Sequence, residues 1–178
     1  MWNTNNVVFK GLHVIAWIIF VGLCIEAGGL LVNFIISLYK PSLLPNLYQK
    51  LDLTALYESS RWAFVGSYSF ILAIAALKAS LFYTVVMLMH KMELGNPFTP
   101  FVARRILLVS YNTLAIGLLS YLAREFTRGL AKRGFITDSL HQFWHDSQAF
   151  VLMGAVVYII AIIIKRGVEI QSENELTI

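Results

Sequence analysis

The sequence predicts an all-α fold: an integral membrane four-helix bundle that forms a single domain over residues 1–178. Composition is the first reason. Hydrophobic residues make up 58% of the chain and charged residues only 13%, whereas a soluble domain is roughly 45–50% apolar and about 25% charged. A globule of 178 residues has too little interior to hide that much apolar surface from water, so lipid is the expected solvent. The second reason is that the apolar residues fall into four runs, near the length of about 20 residues that a helix needs to cross a bilayer core. The third is that the basic residues sit in short clusters between those runs. The net charge of +4 therefore reads as membrane-flanking charge and not as a nucleic-acid face. The lone cysteine, Cys24, lies inside an apolar run, which excludes a disulfide framework and any cysteine-based metal spacing.

The first run, Gly11–Leu38, is too long for the hydrophobic region of a signal peptide. No small-x-small cleavage site clearly follows it, so it is expected to be the first span. Pro41 and Pro45 end that helix. The mixed polarity of Leu47–Ser60 suits a short interfacial helix. The second span is Trp62–Met89, and Gly95-Asn96-Pro97-Phe98-Thr99-Pro100 after it is a turn in which two prolines forbid a continuous helix. The third span, Ile106–Tyr121, is short, with Arg104, Arg105 and Arg124 placed to snorkel to headgroups. The connection from Leu122 to Gln148 carries Arg124, Arg128, Lys132 and Arg133, then an aromatic, histidine-rich stretch. Its spacing suits an amphipathic helix on the membrane surface. The fourth span is Ala149–Ile164, followed by a tail from Lys165 to Ile178.

Four spans put both termini on one side. That side, with the second connection, holds Lys10, Lys91, Arg104, Arg105, Lys165 and Arg166; the other holds Lys40, Lys50, Arg61, Arg124, Arg128, Lys132 and Arg133. The counts are nearly even. The compactness of the second connection, with its basic residues abutting the spans, tips the expectation toward cytoplasmic termini.

Glu26 lies mid-span, where an ionisable group costs a few kcal/mol or more unless it is paired (~3 kcal/mol on insertion scales). Lys78 lies within the second span. At 1.5 Å per residue Glu26 is about 22 Å from Gly11 and Lys78 about 16 Å from Met89, a difference a lysine stem can bridge. Two readings of the pair stand side by side: a buried contact that fixes helix register, or a polar ligand site or proton-responsive switch. Gly22, Gly28 and Gly29 are expected to serve close helix packing. His13 and His90 should lie at similar depth near the ends of adjacent helices. His141 and His145, spaced i, i+4, would share one face of a helix and are weak zinc candidates. Further ligands for a metal are scarce, so no metal or other cofactor is expected. No phosphate loop, Ser/His/Asp set or paired catalytic carboxylates is evident, and an enzyme is not expected.

The C-terminus is the most specific stretch. It reads Lys165-Arg166-Gly167-Val168-Glu169-Ile170-Gln171-Ser172-Glu173-Asn174-Glu175-Leu176-Thr177-Ile178. With Gly95-Asn96-Pro97-Phe98 and the following Arg104-Arg105, it resembles a family of small four-span bacterial membrane proteins catalogued as domain of unknown function 2975. Ser172 and Glu175 depart from the residues common there, and the third connection is unusually long and basic. The resemblance implies the bacterial inner membrane, cytoplasmic termini and a frequent genomic neighbour, a small Cro/C1-type helix-turn-helix regulator. It implies no established reaction. In the tail, Ile170, Leu176 and Ile178 alternate with the acids Glu169, Glu173 and Glu175. With Pro97, Phe98, Arg104 and Arg105 they form the expected docking surface for such a partner. The expected function is thus an interaction or sensing protein in signalling, one that tethers or regulates a cytoplasmic regulator, with homo-oligomerisation open and no direct nucleic-acid binding. The alternative is a small-molecule carrier or cofactor-binding membrane protein using Glu26 and Lys78 or the histidines.

Overall fold

The computed structural model describes residues 4–39, 53–92, 95 and 97–175. The helix-ending role expected of Pro41 and Pro45, the first part of the interfacial helix expected over Leu47–Ser60, and the docking residues Leu176 and Ile178 lie outside the described residues. Every regular element described is helical. The helices are α1 (Thr4–Tyr39), α2 (Thr54–Ser59), α3 (Arg61–Lys91), α4 (Pro100–Lys132) and α5 (Ser147–Glu175), with a short 3-10 helix (Asp138–Phe143) between the last two. The four long helices are each long and apolar enough to cross a membrane, and the chain is accordingly a membrane protein.

Each long helix outruns its apolar stretch, and the local chemistry explains where it stops. Thr99 caps α4, its hydroxyl accepting the Val102 amide hydrogen at 3.3 Å, and Pro100 occupies the first turn, where its missing N–H costs nothing. At the other end Gly134 takes a positive φ of 86°, and its amide hydrogen reaches the Ala131 carbonyl at 3.0 Å, closing the helix. No proline intervenes, so α4 runs for 33 residues. This corrects the expectation of a separate surface helix in the third connection. Residues 122–132 continue α4, because Ala123, Thr127 and Leu130 on one face are buried while Arg128 on the other bonds Glu125 at 2.7 Å. Only the 3-10 helix remains as a short element in that connection, and α2 is its counterpart in the first. The tail also differs from a free strand of chain: α5 continues unbroken through Glu175.

The long helices alternate in direction, and the main contacts follow chain order: α1 against α3, α3 against α4, and α4 against α5 most extensively. Two poles result. The terminal pole gathers the start of α1, the end of α3, the start of α4 and the end of α5. The opposite pole carries the densest core, in which Leu53, Leu56, Phe64, Tyr68, Leu130, Leu140 and Trp144 are all buried. There α2 closes over an aromatic stack of Phe34, Phe64 and Tyr68 through Tyr57, which meets Phe64 edge-on at 5.2 Å, with Phe34 and Tyr68 centroids 4.9 Å apart, while the 3-10 helix packs on α4.

Candidate functional site

The residues singled out in the sequence distribute over three places. The first is the seam between α1 and α3. His13 and His90 face each other with ring centroids 5.9 Å apart, Phe20 meets Tyr83 at 5.8 Å, and the Tyr68 hydroxyl reaches the Leu30 carbonyl. The two histidines therefore do share a level. His13 Nε2 is buried without a hydrogen-bond partner among the described residues. Glu26 and Lys78 sit between the Phe20 and Leu30 levels, both half-buried, yet neither has an ion-pair or hydrogen-bond partner among the described residues. Ala27, Leu30 and Phe34 form the α1 side of the seam, and Glu26, one residue before Ala27 and one turn before Leu30, lies at the edge of that face.

The second place is the pole opposite the termini. His141 lies in the 3-10 helix and His145 in the turn after it, so their spacing does not give a shared α-helical face. His145 contacts Asp146 at 3.1 Å, both exposed, and no group of three metal-ligating side chains occurs among the described residues. Nearby are buried polar atoms, among them the hydroxyl of Ser67, whose place in the second span suggests an interhelical hydrogen bond. The Trp144 indole N–H and the Ser67 and Ser147 hydroxyls are buried with no hydrogen-bond partner among the described residues, a small minority state for buried polar groups. Their only signal in sequence is a serine or tryptophan at a core-facing register.

The third place is the terminal pole, where the expected docking residues converge. A Cβ added at Gly167 would stand 2.8 Å from Phe98 Cδ1, so the second connection is seated on the far end of α5. Beside this contact a groove of about 660 Å³ opens between α4 and α5, with Pro100, Arg104, Lys165, Arg166 and Glu169 along its polar side. Arg166 bonds Glu169 at 2.8 Å. Arg104 and Lys165 have no carboxylate within 4.0 Å among the described residues. Arg105 turns the other way and lies 5.4 Å from the Phe101 ring, which Lys91 approaches from α3 at 5.6 Å. Pro97 and Glu173 are exposed at the same pole, Glu173 engaged in a contact of its own, and Glu175 ends α5.

Two of the first span's three glycines do not serve the close packing expected of them. Gly22 and Gly28 have nothing within 4 Å of an added Cβ. The close approach belongs to α4 and α5: a Cβ on Gly117 would lie 2.6 Å from Val151 Cγ2, and one on Gly154 would lie 2.9 Å from the Leu114 backbone nitrogen. At this crossing the Ser110 hydroxyl donates to the Gly154 carbonyl at 3.0 Å.

Compared with known proteins, the chain matches no family model, no curated protein and no solved structure.

Proposed function

We propose that this protein is a membrane-embedded interaction or sensing protein of the bacterial inner membrane, with its terminal pole in the cytoplasm, where it tethers or regulates a small helix-turn-helix transcription regulator. The partner class comes from the resemblance of the C-terminus and the second connection to their family. The observation that best supports a docking role is the seating of Phe98 on Gly167. It joins the second connection and the α5 extension into one continuous surface beyond the apolar span, presenting Pro97, Arg104 and Glu169 together. An acidic, helical extension of this kind would complement the basic face that a DNA-binding regulator presents to phosphates.

The test is purification of the tagged protein from its native membranes in mild detergent, followed by identification of what stays bound. A stoichiometric helix-turn-helix protein, lost when residues 169–178 are deleted, is the expected result. A full-length protein that purifies without any such partner, or a partner retained equally after the deletion, overturns the reading.

A further inference from the structure

The groove at the terminal pole has a construction that docking of a soluble regulator does not use. It opens where α4 and α5 part between two tight points, the Phe98–Gly167 contact at the rim and the Ser110–Gly154 bond deeper in the span. Ala103 and Ala161, both buried, supply a floor of small side chains that leaves the space open. The lining is graded along the helix axes. Arg104 and Lys165 mark the rim; Tyr111 on α4 and Tyr158 on α5 lie seven residues further in, about 10 Å at 1.5 Å per residue and on the same faces. The two tyrosine rings are 6.3 Å apart, and Leu107 and Ile162 stand between rim and rings.

A cationic rim above an apolar, aromatic slot is complementary to one kind of molecule already present around a spanning helix. From this geometry we infer that the α4–α5 groove is a binding site for an anionic phospholipid. Its phosphate is held by Arg104 and Lys165, with Arg166 beside them, and its first acyl segment lies along Leu107, Ile162 and the two tyrosines. Charge complementarity supports this occupant. The groove carries three cations and one carboxylate, and that carboxylate, Glu169, is already bonded to Arg166. Among the described residues Arg104 and Lys165 are thus left on the groove with no carboxylate within 4.0 Å, at the end of the apolar span. A zwitterionic lipid offers the same phosphate but adds a cation that Arg104 and Lys165 would repel.

Native mass spectrometry of the full chain in detergent doped with equal amounts of phosphatidylglycerol and phosphatidylcholine reads occupancy without any protein partner, so its outcome is independent of the docking reading. The wild-type chain is expected to retain one phosphatidylglycerol in preference to phosphatidylcholine. Arg104→Gln with Lys165→Gln should cut that preference at least about tenfold, Arg104→Lys with Lys165→Arg should keep it, and Lys132→Gln with Arg133→Gln at the opposite pole should leave it unchanged. Equal retention of the two lipids by the wild-type chain overturns the assignment whether or not the variants fold. So does an unchanged preference in the folded glutamine variant. Complete displacement of the lipid by millimolar inorganic phosphate also overturns it, since it would mark a free-phosphate site with no acyl recognition.

Discussion

Tyr68 of α3 donates its phenolic hydrogen to the main-chain oxygen of Leu30 in α1 at 3.1 Å, and both residues are buried. The Leu30 oxygen sits within a continuous helix, where it also serves the helix ladder, so the tyrosine is a second donor to one carbonyl. This bond fixes both the level and the rotation of α1 on α3, toward the end of the seam that adjoins the stack of Phe34 and Phe64. Tyr68→Phe keeps the stack on Phe34 and removes only the bond. The expected cost is about 1 kcal/mol, read as a modest drop in thermal midpoint in detergent. Tyr68→Ala should cost several-fold more, about 3–5 kcal/mol, because it opens the core. Equal losses in the two variants would show that the hydroxyl contributes nothing.

Glycine substitutions should split by helix. Replacing a helical glycine by alanine ordinarily gains up to about 1 kcal/mol. At Gly22 nothing opposes that gain, and Gly22→Ala should be neutral or stabilising. At Gly154 the new methyl meets the Leu114 backbone nitrogen, which cannot swing aside as a side chain can. Gly154→Ala is expected to lose about 1–3 kcal/mol net, as overpacked cores do. Thermal unfolding of the two variants in the same detergent checks the contrast, and a destabilised Gly22→Ala would point to a surface covering α1.

Glu26 and Lys78 are near in level but not in contact, and a double-mutant cycle measures what that means. With Glu26→Gln and Lys78→Gln, the interaction energy should stay within about 0.5 kcal/mol, the figure for independent sites. A coupling above about 1 kcal/mol would show that the carboxylate and ammonium pair in the bilayer after all.

The Phe98–Gly167 contact should control how firmly the second connection is held. Gly167→Val places branched carbons where the ring now lies. Amide exchange over residues 97–103 is expected to rise at least about tenfold, as a locally opened segment does, while exchange in the middle of α3 stays as it was. Unchanged protection would show that Thr99 and Pro100 hold the start of α4 without help from α5.

The four helices were legible in the sequence because hydrophobic runs of bilayer length admit few other solutions. Helix ends were less so. The third apolar run suggested Ile106–Tyr121, and α4 extends well beyond it at both ends. Hydropathy reports where lipid lies, whereas helix termination depends on caps such as Thr99 and breakers such as Gly134. The level of His13 with His90 followed from counting residues. That Glu26 and Lys78 form no ion pair among the described residues did not, because such a count gives level along the helix and no side-chain distance. Which glycines bring helices together was likewise hidden, since Gly22 and Gly154 look alike until a neighbour is present. The groove could not be read at all: Arg104 and Lys165 are 61 positions apart in the chain.

Because the main contacts join only helices adjacent in the chain, no large loop has to close before a stabilising contact forms. Each pairing becomes available as soon as its second helix enters the bilayer, the low contact order that favours fast assembly. Synthesis nonetheless delivers the most extensive pairing, α4 with α5, last. The first half of the chain must wait in the membrane as a loosely joined pair until the second half arrives to complete it.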